Sequence, residues 1–221
     1  AGFTQRRTLF AGHVGEAYGS VAEACTNGLA QRCTRHSRLL EARKVIRMTP
    51  HSGFKNVGIH ASTITPDLLP EMVDVFSGLA GFCTESGVEN LVLETSCVVP
   101  RVMAALMKQL PKNTIFNLDP ANIKLYNAGD VLELLELIAN EIGYGRIFRH
   151  DKDADDRNFD PNHPWFGVTE PPIGEGNVPF EAICRAFHDA GVFTPSVIEY
   201  EPKTDEERQQ HQEVALTAKE H

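Results

Sequence analysis

Two hydrophobic rhythms alternate along this chain. Short runs rich in β-branched and aromatic residues read as strands at Thr8–Ala11, Lys44–Met48, Asn90–Glu94, Thr114–Leu118, Arg146–His150 and Ser196–Tyr200. Longer stretches between them carry helical spacing, about Ser20–Ala42, Pro66–Ser86, Val99–Gln109, Gly129–Glu141 and Pro179–Ala190. The helix over 129–141 is the best marked. Val131, Leu132, Leu134, Leu135, Leu137 and Ile138 make a broad apolar stripe behind Asp130, a fair N-cap. Gly87 and Gly191 stand where helices should stop. One further run, Asn56–His60, reads as a short strand where the alternation calls for a loop or a helix start.

Repeated βα units with nearly continuous apolar strands predict an α/β protein, its parallel sheet covered by helices. A closed (β/α) barrel and an open doubly wound sheet compete. The open dinucleotide-binding sheet usually carries a GxGxxG turn after its first strand, of which Ala11-Gly12-His13-Val14-Gly15 is a weak imitation.

The strand ends favour the barrel. The last four strands deliver Glu94, Asp119, His150 and Glu199, each after an apolar run. A barrel builds its reaction face at the carboxyl ends of its strands, so these four side chains are expected to converge there. Three carboxylates and one imidazole suit a hard-to-borderline divalent ion: Mn²⁺ first, then Mg²⁺, Co²⁺ or Zn²⁺.

The same residues carry a family resemblance. Asp119-Pro120-Ala121-Asn122 resembles the DPxN motif of the xylose-isomerase-like TIM barrel superfamily, which groups sugar phosphate isomerases and epimerases with apurinic endonucleases. His150-Asp151-Lys152-Asp153 is similar to its HxKD motif, Gly174-Glu175-Gly176 to its GEG segment, and Ile198-Glu199-Tyr200-Glu201 to its closing IEYE strand. The resemblance spans about residues 90–221. It implies a TIM barrel with Glu94, Asp119, His150 and Glu199 as metal ligands. Asn122 departs from the DxxH found in many free-ketose epimerases.

Length then complicates the picture. With 221 residues and six strands, the chain is expected to lack the first two βα units of an eight-unit barrel. It begins with Ala1 rather than Met, in keeping with a trimmed or incomplete chain. A homo-oligomer or a partner chain would otherwise complete the barrel and cover its sheet edges. All 221 residues are assigned to one domain, with a charged tail or helix over 203–221.

Charge narrows the partners. The formal net charge is −9, from 21 Lys+Arg against 30 Asp+Glu, which argues against a nucleic-acid surface. No apolar run approaches the roughly 20 residues of a membrane span, and a cytoplasmic enzyme acting on a small sugar-like substrate is expected. Five widely spaced cysteines without a CxxC pair read as buried free thiols in a reducing compartment.

The expected chemistry is metal-dependent isomerisation or epimerisation of a sugar or polyol through an enediolate. Glu94 and Glu199 would act as the acid–base pair. Lys152, Asn122, Arg47 and Trp165 are candidate substrate contacts, with Arg149 a lesser one; His51 and His60 are read as surface or structural. The aperiodic stretch from Asp151 to Pro179 reads as a lid. Two other readings compete: a lyase or dehydratase on the same scaffold, and a non-catalytic barrel subunit. An apurinic endonuclease would need more strand-end histidines and a basic groove.

Overall fold

Six strands lie side by side in the order in which the chain makes them, all parallel. They are β1 (Thr8–Phe10), β2 (Asn56–Ala61), β3 (Asn90–Thr95), β4 (Thr114–Leu118), β5 (Ile147–Asp151) and β6 (Ser196–Ile198). The computed structural model describes residues 8–10, 39–40, 42–52, 54–61, 64–95, 98–194 and 196–199. A doubly wound sheet reverses its strand order at a switch point; this sheet does not, so it is the wall of a (β/α) barrel. Among the described residues six strands are present, against the eight of a closed barrel.

The helices are α1 (Leu69–Glu85), α2 (Pro100–Gln109), α3 (Pro120–Leu125), α4 (Val131–Ile142) and α5 (Phe180–Asp189). Asp130 caps α4, its carboxylate accepting the Glu133 N–H at 2.8 Å. Val131, Leu134, Leu135 and Ile138, spaced i, i+3, i+4 and i+7, are the buried stripe of that helix. Burying each of the larger ones stabilises the fold by roughly 1.5–3 kcal/mol. Gly87 and Gly191 end their helices at φ of 78° and 66°, a backbone region that favours glycine.

Two expectations need correction. Residues 42–48 are helical, and the strand in this part of the chain is β2. Val45-Ile46 resembles a β-branched strand core, yet Ala42, Val45, Ile46 and Thr49 are the covered positions while Arg43, Lys44, Arg47 and Met48 are exposed. That spacing is helical, and it outweighs the local β-propensity. Cys184 is exposed rather than buried, whereas Cys83 is a buried free thiol. The expected helix before Ala42 falls outside the described residues except for 39–40, and the charged tail over 203–221 falls outside them entirely.

Strand alternation sorts the two faces of the sheet. Leu91 and Leu93 of β3, Phe116 and Leu118 of β4, and Ile147 of β5 join the helix-side core with Leu79, Met103, Leu106, Leu135 and Ile183. The opposite parity belongs to Glu94, Asn117 and His150. That face carries the polar groups.

Candidate metal centre

Glu94 is the penultimate residue of β3, Asp119 follows β4 directly, and His150 lies near the end of β5. All three are buried, at 4%, 2% and 5% exposure. Each offers one ligand atom such that these atoms lie within 4.8 Å of one another. Parallel register underlies the convergence: Glu94 is level with Asn117, two residues before Asp119, while Asp119 and His150 are the residues that follow the Leu118–Arg149 pair.

Two asparagines tie the cluster together. Asp119 is the N-cap of α3, accepting the Asn122 backbone N–H at 3.2 Å, and the Asn122 side-chain amide donates to Glu94 Oε1 at 3.2 Å. Asn122 thereby links two of the acids. Asn117 lies in register with Glu94, and its Nδ2 is 3.2 Å from His150 Nδ1. His150 Nδ1 is also 4.0 Å from Glu94 Oε1, and its Nε2 meets Glu199 Oε2.

Charge in the cluster is unbalanced. Burial, reinforced by the Glu94 charge against the pull of His150, pushes the Asp119 carboxyl up to about 7. Burial lowers the basicity of His150, but the Glu199 hydrogen bond and the surrounding carboxylates outweigh it and raise its pKa. Glu199 is held down to about 2, first by the His150 hydrogen bond and then, against its own burial, by Lys152. Two buried carboxylates and an imidazole offer oxygen and nitrogen donors within 4.8 Å of one another. The donor set therefore fits a divalent cation.

Lys152 reaches over the same end of the sheet. Its ammonium is 2.9 Å from Glu170 and 3.3 Å from Glu199, and these acids raise its pKa against the opposing effect of burial. Of the four expected residues, Glu94, Asp119 and His150 come together, and Glu199 meets His150. Arg47 goes elsewhere: its guanidinium lies 5.3 Å from the Phe82 ring of α1. Arg149 turns to the helix side, paired with Asp151 at 2.6 Å and 5.8 Å from the Phe187 ring centroid. The Trp165 side chain falls outside the described residues.

His51 is exposed in a short turn, whereas His60 stands in register with Glu94, its Nε2 3.9 Å from Glu94 Oε2. Sequence reasoning gave no role to Asn117 or Glu170. Asn117 was detectable as the single amide on an otherwise apolar strand end, Thr114–Leu118. Glu170 gave no signal, since its meeting with Lys152 depends on the path of a long loop.

These features define a class before any comparison: a parallel β/α barrel wall with an acid-rich ligand cluster at the carboxyl ends of its strands. Comparison with solved structures gives that fold a name. A xylose isomerase domain protein from Planctomyces limnophilus superposes with a TM-score of 0.67 at 26% identity, covering 84% of this chain and 65% of that one. A xylose isomerase-like TIM barrel protein from Mycobacterium smegmatis, solved in complex with magnesium, gives 0.60 at 20% identity over 82% and 66%. A D-tagatose 3-epimerase-like protein gives 0.60 at 20% over 88% and 72%. The chain has the xylose isomerase-like TIM barrel fold, and it spans about two-thirds of the length of these structures. No protein-family model and no curated protein matches the sequence.

Proposed function

We propose that the chain is a divalent-metal-dependent isomerase or epimerase of a sugar or sugar-like polyol. The observation that carries this reading is the convergence of Glu94, Asp119 and His150, buried, with ligand atoms within 4.8 Å of one another. The magnesium complex and the epimerase-like protein among the solved structures of this fold support it. Mn²⁺ is the first choice for an O,O,N donor set, followed by Mg²⁺.

Asp119 and His150 would hold the cation with Glu94, and Glu199 would join them on leaving His150. When bound, the cation polarises a substrate carbonyl and the adjacent hydroxyl, which acidifies the C–H between them. Glu94 and Glu199 then serve as the proton-transfer pair. They face opposite nitrogens of the same imidazole, Nδ1 and Nε2, and would act from opposite sides of the substrate carbon. Glu199 starts as a carboxylate of low basicity, at about 2. Loosening its contacts with His150 and Lys152 as substrate enters raises that basicity toward a useful value. Lys152 would hold a substrate hydroxyl or anionic group. The loop from Asp151 to Pro179 would close above the site as a lid.

The test is exchange of substrate hydrogen with solvent. Ketoses and ketose phosphates incubated with enzyme and Mn²⁺ in D₂O should lose the proton signal at the carbon beside the carbonyl, with product mass unchanged apart from deuterium. Glu94→Gln should abolish that exchange while sugar binding persists. Loss of water in the product would instead identify a dehydratase, and exchange undiminished in Glu94→Gln would refute the assigned role.

A further inference from the structure

At the carboxyl end of the sheet, the basic side chains are already held by acids. The segments that follow β2, β3, β4 and β5 there, residues 62–68, 96–99, 119–130 and 152–179, hold three Lys and Arg: Lys124, Lys152 and Arg157. Lys124 Nζ is 2.9 Å from Asp156, and the Arg157 guanidinium meets Asp155 at 2.5 Å. Lys152 is the one that an ion pair ties to the metal-ligand cluster. Its ammonium lies 2.9 Å from Glu170 and 3.3 Å from Glu199, which in turn meets His150. Arg101, the second residue of α2, faces Glu133 at 3.7 Å, and His60 Nε2 lies 3.9 Å from Glu94 Oε2.

The charges at the cluster can be counted. With a divalent cation on Glu94, Asp119 and a neutral His150, the carboxylates of Glu94, Asp119, Glu170 and Glu199 carry four negative charges. The ion brings two positive charges and Lys152 one, so the sum is minus one before substrate enters. A phosphate or carboxylate would add to that excess among acids that are buried or only partly exposed, where repulsion is stronger than in water. A hydroxyl is recognised differently, because it both donates and accepts. Lys152 offers the donor and Glu170 the acceptor, 2.9 Å apart. An ammonium has three N–H groups, and Glu170 and Glu199 engage two of them.

We infer that the site selects uncharged sugars or polyols over their phosphates and over sugar acids, with Glu170 as the specificity-determining residue. Its carboxylate holds the place on Lys152 that an anionic substrate group would take. The inference rests on the isomerase or epimerase reading and narrows its substrate to the neutral members of the class.

Two measurements on the full chain test this, both at about pH 8, above the ordinary histidine pKa. Solvent-deuterium exchange with Mn²⁺ compares D-fructose with D-fructose 6-phosphate and D-xylulose with D-xylulose 5-phosphate. Saturation-transfer NMR on the Mg²⁺-loaded chain compares binding within the same pairs and needs no turnover. The free ketose should be favoured roughly tenfold or more in both. Glu170→Gln removes one charge and keeps a hydrogen-bonding side chain, so it should narrow the ratio by improving the phosphates. A wild type that prefers the phosphates, or binds neither member of any pair, overturns the inference, as does a ratio unmoved in Glu170→Gln. If that variant does not fold, the wild-type preference decides. Preferential binding of free ketoses without any exchange would instead refute the isomerase reading and leave the selection of neutral ligands supported.

Discussion

The carboxylate of Asp153 and the backbone of Gly176 are fitted to each other. Asp153 Oδ2 accepts the Gly176 N–H at 3.0 Å, and a Cβ built on residue 176 would stand 2.3 Å from Asp153 Oδ1 and 2.5 Å from the Ala154 carbonyl oxygen. The same buried carboxylate accepts the N–H groups of Gly174 at 2.9 Å, Val178 at 3.2 Å and Ala154 at 2.8 Å. The last residue of the HxKD-like motif thus gathers the GEG-like segment against the end of β5, beside Lys152. The two motifs are one structural unit.

Gly176→Ala should therefore destabilise the protein although alanine is small. The backbone oxygen cannot retreat as a side-chain tip can, and overpacking of this kind costs typically 1–3 kcal/mol. Asp153→Ala should cost about 2 kcal/mol or more, since it strands several backbone donors at once. Urea unfolding of both variants checks the pair, and an unchanged midpoint in either would contradict the fitted arrangement.

Much of this was legible in the sequence, for identifiable reasons. The strand ends bearing Glu94, Asp119 and His150 could be read because each closes a strongly apolar strand, and period-two alternation then fixes the face. Helix α4 announced itself through Asp130 and its stripe. The failures have equally plain causes. Val45-Ile46 looks like a strand until the positions on either side are seen to be exposed, which only tertiary packing decides. Trading that run for Asn56–Ala61 leaves His60 exposed, as expected, and sets its Nε2 3.9 Å from Glu94 Oε2. Arg149 was lost to parity, standing one residue before His150 and so pointing to the helices. The pairing of Lys152 with Glu170 spans a long loop and leaves no local trace.

Asp119 gives a pH prediction. Its carboxyl is raised from 3.8 to about 7 in the folded protein, chiefly by burial. The folded state therefore holds a proton that the unfolded state has released, and metal-free stability should fall as pH rises from about 4 to 7, then level off. At 1.36 kcal/mol per pH unit the loss is at most about 4 kcal/mol. Asp119→Asn keeps an acceptor for the Asn122 N–H and should flatten this dependence, making the metal-free variant more stable than the wild type above pH 7. Thermal melts across that range read it directly.

Lys152→Met should act on two acids together. The ammonium bridges Glu170 and Glu199, and its loss removes a cation from both, leaving Glu199 with His150. Charge-assisted hydrogen bonds contribute roughly 1.5–3 kcal/mol, discounted here because both acids are partly exposed, so a fall of about 1–2 kcal/mol is expected. The pKa of Glu199 should rise from about 2, though only in part, because the His150 hydrogen bond holds it down more strongly. Carboxylate titration by ¹³C NMR measures the second effect, and a Glu199 signal unmoved by the substitution would contradict it.

Titration of the metal-free chain with Mn²⁺ by calorimetry tests the centre itself. The account predicts about one ion per chain at micromolar affinity or better, weakened at least tenfold in Asp119→Asn and in His150→Gln. Heats no larger than dilution for the wild type, or binding equally tight in both variants, would contradict it.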